Sequence, residues 1–488
     1  MGHRARLTPI ETPPDRDTMS QAKPEAAWAA ELRARLEAAG LPAEHLHTDE
    51  ETLRAHASDK WHASALPEAV LLASGTAEVS CAMRFASERR IPVTPRGSGV
   101  GYVGGCVPVC GGLVISVAPM RRIIDLRPQD GLAIVEAGVL TAELQEACAR
   151  LGWFYPPDPA SRKESSIGGN IATNAGGPRC LKYGVTRAYV LGLEVVLPDG
   201  RICSCGGLTH KNKQGFDLVG LFCGSEGLLG IVTQATLRII PAPPARAALS
   251  ASFPRFALAA EAVQNVLQAG HLPSAMEISD AFTLAAARRY LGHSALPDDA
   301  RGHIIVEIDG QADALSHELE AIAGVLERTG ATAIGRATTP EAVEGIWQLR
   351  REFSYSLKAT GLTKLNEDIV IPRSRLVDLV EFCESMQSET GINVACFGHA
   401  GDGNIHTNIM VPKDSEGHDM RAPADRLVER LFDWVLKAGG RITGEHGIGI
   451  AKAPWFHAAV GDVAFDLHRT LKAALDPAGI LNPGKMGL

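Results

Sequence analysis

The sequence predicts an α+β protein built as two main domains, and three observations lead there. At 488 residues the chain exceeds what one hydrophobic core ordinarily serves. Over residues 55–242, short strand patterns and short helical patterns are mixed and punctuated by three glycine-rich loops. Beyond the linker Ile240-Pro241-Ala242-Pro243-Pro244, helix and strand patterns alternate again, with antiparallel hairpin signals and a helical C-terminal segment. The expected division is a disordered tail over 1–24, a helical segment over 25–60, a first domain over 61–242 and a second over 243–488.

Composition narrows the class. Hydrophobic content of 45% and charged content of 21% describe a globular chain, and a net charge of −8 with a pI near 6.1 argues against nucleic acid as a partner. The uncharged run over 97–120 has membrane-spanning length but contains seven glycines and two prolines, so no transmembrane segment is expected. Residues 1–20 lack an apolar stretch and mix Arg with Asp, unlike a signal peptide, and Met19 is a second candidate start. Ten cysteines are scattered without a C-x-x-C pair, as in a reducing cytoplasm, and no iron–sulfur motif is present.

In chain order, 25–56 reads as helical with a break at Gly40-Leu41-Pro42. Ala69-Val70-Leu71-Leu72 reads as a buried strand, and Thr76 as the cap of a helix with Val79, Ala82, Met83 and Ala86 at helical spacing. Ile91-Pro92-Val93 reads as a strand running into a formal G-x-G-x-x-G at Gly99, Gly101 and Gly104. A dinucleotide fold of the nicotinamide type needs a helix to open on the last glycine. Here Pro108, Gly111 and Gly112 intervene before the strand-like Leu113-Val114-Ile115-Ser116-Val117, so a backbone nest that cradles phosphate is expected instead. Strands over 132–139 and 191–197, a helix over 141–151, a glycine-punctuated turn and strand over 224–241, a strand over 303–308, a helix over 312–328 and a strand near 331–335 complete the pattern.

The stretch 155–185 organises the first domain. Residues 165–178 carry no charge yet hold Gly168, Gly169, Asn170, Asn174, Gly176 and Gly177, which makes a poor helix and a poor strand. An ordinary surface loop of that length would be charged. The expectation is backbone wrapped around a large polar ligand bearing phosphates.

Two patches near the C-terminus concentrate ligands. His399 and His406 flank a Gly-Asp-Gly-Asn turn between two strands, and Glu445-His446 sits between glycines. Two histidines and a carboxylate make a three-ligand site for Zn²⁺ or a similar ion with open positions. By spacing alone, two histidines seven apart are more often structural.

The motifs PRGSGVGYVGG, PPDPASRKESSIGGNIATNAGGPRCLKYGV, GSEGLLGIVT, GHAGDGNIHTN, GEHGIG and LDPAGILNPGK together resemble FAD-linked oxidoreductases of the vanillyl-alcohol oxidase type. Within them the likeness is to the branch of D-lactate, D-2-hydroxyglutarate and glycolate dehydrogenases, including bacterial glycolate oxidase D subunits. The resemblance implies an FAD-binding domain over 61–242 and a substrate domain over 243–488 whose end returns to the FAD site. It places the pyrophosphate on Arg96, Gly97, Ser98, Gly99, Val100 and Gly101. It lays the flavin and ribityl chain along Pro157, Asp158, Ser165, Gly168, Gly169, Asn170, Ala172, Asn174 and Gly177, then Tyr183 and Gly184. Glu226, Gly230, Ile231 and Asn482 close the site. Some relatives attach FAD covalently through a histidine in the first loop; Val100 stands at that place, so non-covalent FAD is expected.

The same resemblance makes His399, His406 and Glu445 ligands of a divalent metal, zinc first, and His446 the catalytic base. The implied reaction oxidises glycolate or a D-2-hydroxyacid to the 2-oxoacid, with hydride passing to flavin N5. Arg350 is expected on the substrate carboxylate, with Ser354 one helical turn away, Lys364 as a second candidate cation and Arg351 on the surface. A zinc hydrolase would leave the glycine-rich loops without a task. A non-catalytic FAD-binding subunit of a glycolate oxidase complex would not need the His/Glu cluster. Without an iron–sulfur motif, electrons are expected to leave to a partner protein or quinone, with a peripheral contact at the inner membrane face as one route and oligomerisation left open.

Overall fold

Residues 26–292, 296–413 and 421–488 are described by a computed structural model, so the tail expected over 1–24 lies outside the described residues. The first sheet is built on the buried strand Ala69–Leu72, which pairs in parallel with Leu113–Ser116, itself parallel to Val93–Arg96. Apolar residues on both faces suit a parallel strand covered on both sides. The helix Thr76–Arg89 crosses over and buries Val79, Ala82, Met83 and Ala86 against that sheet. Its N-cap is Gly75, not Thr76; the Thr76 hydroxyl instead donates to Glu194 at 2.6 Å. Pro92 lacks an N–H, and the strand begins after it at Val93, whose N–H donates to Ile480 in the C-terminal segment.

A second, antiparallel sheet runs Ile123–Arg127, Leu132–Glu136, Ile231–Arg238, Val190–Val196, Ile202–Gly206. Ile231–Arg238 alternates between buried and half-buried residues, as a strand packed on one face should. Against this sheet lies a helix, Ile167–Thr173, inside the stretch read as neither helix nor strand. The local composition is overridden by tertiary packing: Ile167 and Ile171 are buried with Val135, Val195 and Ala235, and Ser166 Oγ accepts from the Gly169 N–H at 3.3 Å. Asn174 then ends the helix in the left-handed region.

The second half forms a seven-stranded antiparallel sheet in the order Ala333–Ala337, Ala245–Phe253, Gly302–Gly310, Ala275–Asp280, Asn393–His399, Asn404–Val411, Thr363–Val370. Helices Phe256–Gln268, Ala312–Arg328 and Leu376–Thr390 cover one face with a single large apolar core. The opposite face carries two smaller apolar clusters, one where Leu284, Phe353 and Leu357 meet Phe397 and Met410, the other where Val343 and Trp347 meet Ala248, Ala275 and Ala337. The rest of that face is polar and turns toward the first domain. Arg179 reaches across to Glu307 at 3.1 Å while holding Asp158 at 2.8 Å, and Asp309 accepts from Lys182 at 2.5 Å and from the Tyr183 hydroxyl at 2.8 Å. The C-terminal segment closes the structure, with the Asn482 amide donating to Gly105 and Glu226 carbonyls at 3.0 and 2.8 Å.

Candidate active site

Strand periodicity assembles the site. His399 pairs with Asn404 and with Glu277, while His406 lies opposite both Phe397 and Asp368. Side chains alternate along a strand, so Glu277, His399, His406, Lys364 and Asp368 all project from the polar face. The imidazoles of His399 and His406 stand 5.6 Å apart edge to face, and His399 Nε2 lies 3.1 Å from Glu445 Oε1. One ligand atom from each of His399, His406 and Glu445 falls within 4.8 Å of the others. His446 stacks on His406 at 5.7 Å, and Tyr102 of the first glycine-rich loop stacks on His446 at 5.1 Å.

The electrostatics fit a cation at the centre. His406 Nδ1 is buried without a hydrogen-bond partner, and burial pushes its pKa down to about 3, leaving a neutral imidazole. Burial alone would also lower His399, but Glu277 and Glu445 on either side raise it well above its ordinary value. A divalent ion held here would displace a proton between His399 and Glu445, and the N, N, O donor set suits zinc. His399 Nδ1 meets Glu277 Oε1 at 2.5 Å, the carboxylate–histidine pairing that orients a metal-binding imidazole.

Glu277 does a second task. Its Oε2 accepts from Arg350 Nε at 2.5 Å, and the Arg350 guanidinium lies 4.8 Å over the Phe397 ring. Arg350 is thus fixed by one edge, while Arg351 is exposed and pairs with Glu344. Lys364 Nζ donates to Ser354 Oγ at 2.9 Å, which brings together the expected substrate-side trio Arg350, Ser354 and Lys364. Burial, with Lys358 and Arg350 nearby, lowers Lys364 to about 8.

In the first domain, the loop that holds Arg96, Gly97, Ser98, Gly99, Val100 and Gly101 is half-buried. Gly99 takes φ +70°, and a Cβ at Gly97 would meet Ser166 Oγ at 2.5 Å, so this loop stacks directly on the start of the 167–173 helix. Ser165 stands just before that helix, Gly168, Gly169, Asn170 and Ala172 lie in it, and Asn174 and Gly177 follow it. Several expected cofactor residues carry other bonds through their side chains. Asp158 holds Arg179, Tyr183 holds Asp309, Asn170 donates to Thr141, and the Glu226 carboxylate accepts from Ile448 and Gly449 N–H groups at 2.6 and 2.7 Å. Pro157 accepts from Gln145 through its carbonyl, Gly184 ends the short Cys180–Tyr183 helix, and Gly230 and Ile231 open the central strand against Val195. Asn174, Glu226 and Asn482, all in the left-handed region, stand where the stretch, the Gly-Ser-Glu-Gly turn and the C-terminal segment meet. Backbone held in that region, with the Asn482 Oδ1 buried and unpartnered, marks a built cradle that fits a large polar ligand.

Sequence reading missed Glu277, Asp368 and Tyr102. Both acids lie inside strand patterns, Glu277 with Asp280 in AMEISD and Asp368 beside Glu367 in LNEDIV, and acids within a strand were the available signal.

Fold and site together define a flavoprotein, and comparison with known proteins agrees. Residues 67–206 match the FAD binding domain model and residues 242–486 match the model for the C-terminal domain of FAD linked oxidases. The chain belongs to the FAD-linked oxidase family. It is 38% identical over 421 residues to glycolate oxidase subunit GlcD of Bacillus subtilis (strain 168), covering 86% of this chain and 89% of that one. It is 32% identical over 431 residues to a D-lactate dehydrogenase of Anaerostipes hadrus, covering 87% and 90%. The mitochondrial D-2-hydroxyglutarate dehydrogenase of Bos taurus is 32% identical over 416 residues, covering 84% and 75%. Among solved structures, 4-ethylphenol oxidase from Gulosibacter chungangensis superposes with a TM-score of 0.76 at 18% identity, covering 96% of this chain and 98% of that one. A p-cresol methylhydroxylase reaches 0.74 at 17% identity, with coverage of 94% and 96%. The fold is therefore of the vanillyl-alcohol oxidase type, as the motifs implied, and the protein is an FAD-linked oxidoreductase of the glycolate oxidase and D-lactate dehydrogenase type. No helix among the described residues is long and apolar enough to cross a membrane.

Proposed function

We propose that this chain oxidises glycolate or a small D-2-hydroxyacid to the corresponding 2-oxoacid, with non-covalent FAD and a divalent ion at His399, His406 and Glu445. The observation that carries the reading is the convergence of those three ligand atoms within 4.8 Å, with His446 stacked on His406 at 5.7 Å. When bound, FAD supplies the hydride acceptor and the metal supplies a Lewis acid that acidifies the substrate hydroxyl. Arg350, Ser354 and Lys364 bind the substrate carboxylate and fix which face of the α-carbon is presented. His446 accepts the hydroxyl proton: its Nδ1 lies 3.9 Å from Asp368 Oδ2, which leaves Nε2 for that task. Burial lowers the His446 pKa and Asp368 opposes that, so the ring is neutral and ready to accept at pH 7. Tyr102 covers the outer side of His446 and limits water access.

The test is anaerobic bleaching of the flavin by glycolate, D-lactate, L-lactate and D-2-hydroxyglutarate, before and after chelator treatment. Glycolate or a D-acid should bleach the yellow colour, chelation should stop it, and zinc should restore it. Bleaching unaffected by metal removal would overturn the metal assignment. No bleaching by any 2-hydroxyacid would overturn the reaction and favour a non-catalytic FAD-binding subunit. Electron transfer onward to a partner protein or quinone is part of the proposal and is read by turnover with a soluble quinone.

A further inference from the structure

The loop over residues 443–449 carries Glu445 and His446 but lies outside any helix or strand. Its backbone N–H groups therefore need partners from elsewhere. Two buried carboxylates from different halves of the molecule supply them. From the seven-stranded sheet, Asp368 Oδ2 accepts from Thr443 Oγ1 at 3.1 Å and from the N–H groups of Gly444, Glu445 and His446 at 3.0, 2.8 and 2.9 Å. Its Oδ1 accepts from Asn404 Nδ2 at 2.7 Å. From the first domain, the Glu226 carboxylate accepts from the N–H groups of Ile448 and Gly449, and a Cβ at Gly447 would fall 2.6 Å from Glu226 Oε1. Glu226 is itself anchored in the cradle: its N–H donates to Ala172 at 2.8 Å and its carbonyl accepts from Asn482.

We propose that Asp368 and Glu226 form a two-point clasp on the 443–449 loop and act as positioning residues, so that docking of the two domains sets Glu445 and His446 against the substrate. The chemical consequence rests on the reading of His446 as the base; the clasp itself does not. Each carboxylate is an anion inside a ring of N–H donors, an arrangement that an amide cannot replace. Gln at 226 turns an NH₂ toward the Ile448 or the Gly449 N–H; Asn at 368 either sets its NH₂ against the Asn404 amide and holds the four loop donors on one neutral oxygen, or turns its NH₂ to the loop and releases them. Displacement of a reacting group by about 1 Å is enough to cost ~100-fold in rate. Glu226 also explains why the loop is continuous with the flavin side: the same residue bonds Ala172, Asn482 and the loop.

The experiment uses flavin-loaded, metal-loaded protein carrying Glu226→Gln, Asp368→Asn or the milder Thr443→Val, which removes one donor to Asp368 together with the acceptor of the Gly447 N–H, so that its exchange is read at 444–446. Two readouts are taken. The first is the anaerobic flavin reduction rate at saturating substrate, together with KM. The second is amide hydrogen exchange over residues 443–449 by mass spectrometry. Both acid variants should lose ~100-fold in reduction rate with KM within about 3-fold of the parent. Exchange should rise at 448–449 in Glu226→Gln and at 444–446 in Asp368→Asn, and Glu226→Asp should recover part of the rate. A flavin-loaded acid variant that reduces within about 3-fold of the parent rate, or that leaves exchange unchanged, overturns the clasp. Should both acid variants fail to fold, Thr443→Val decides: parental rate and parental exchange overturn it. His446→Ala separates the two ideas. If that variant reduces flavin at the parental rate, the base assignment fails, while the exchange pattern still decides the clasp.

Discussion

Replacing Glu277 by Gln should damage two functions at once, and the structure sets the size of each. Glu277 is 1% exposed and its two oxygens each hold a cationic partner at 2.5 Å, Arg350 Nε and His399 Nδ1. Burial by itself would raise that carboxyl, but His399 and Arg350 hold it down from its ordinary 4.5 to about 2. A depression of that size corresponds to about 3 kcal/mol at neutral pH. It agrees with the ~3–5 kcal/mol lost when one partner of a buried ion pair is removed. The sign follows from linkage: the folded-state pKa is depressed, so the stabilisation is complete above about 4.5 and is lost as pH falls toward 2. On the metal side, Gln removes the carboxylate behind His399, the proposed ligand, and loss of such a carboxylate behind a metal-binding imidazole costs ~10–100-fold in affinity. The assay is zinc competition against a chromophoric chelator, paired with urea unfolding at pH 7 and pH 3.5. Glu277→Gln should bind zinc at least ~10-fold more weakly, and its stability deficit should shrink at the lower pH. Parental zinc affinity would refute the reading of Glu277 as the support of His399, whatever happens to stability.

Two further outcomes follow from the same network. Because burial lowers Lys364 to about 8, its charge is lost as pH rises through 8, so KM for the hydroxyacid should climb between pH 7 and 9.5. In Lys364→Met that climb should be absent and KM should be high throughout; a flat parental profile would remove Lys364 from carboxylate binding. The unfolded chain keeps this proton to about 10.5, so the lysine's contribution to stability should rise with pH across that window. Arg179→Met should leave Asp158 buried without its guanidinium partner, while Glu307 keeps Arg246, Trp347 and Ser274, costing ~3 kcal/mol and shedding flavin on gel filtration. Full flavin retention would show that the junction is held elsewhere.

Local motifs in the sequence announced the histidine hairpin, because a Gly-Asp-Gly-Asn turn between strands brings His399 and His406 to one side by strand geometry alone. The glycine-rich loop of the first domain was equally legible, since no helix can open on its last glycine. Glu277 was not. It lies far from His399 in the chain, and only the adjacency of Ala275–Asp280 to Asn393–His399 in the sheet order brings them together. Asp368 is hidden for the same reason. The helix Ile167–Thr173 was illegible on different grounds: its glycines and asparagine argue against helix, and the two isoleucines that hold it down are decisive only once the sheet beneath them exists.

The strained backbone at Asn174, Glu226 and Asn482 joins these observations. Each sits at φ near +50°, where a side chain costs about 1 kcal/mol relative to glycine. Glycine would relieve that cost, yet each side chain is engaged: Asn174 accepts from the Arg187 N–H, Glu226 holds Ile448 and Gly449, and Asn482 bridges Gly105 and Glu226. The strain and the bonds belong to the same three residues, at the point where the glycine-rich stretch, the C-terminal segment and the His446 loop meet. A left-handed backbone turns each side chain away from the segment it belongs to and toward its neighbours. Glycine at Glu226 would keep the turn and lose the link to the loop that carries His446. The junction therefore selects for side chains that can tolerate positive φ and still bond across three segments, a requirement that packing alone would not impose.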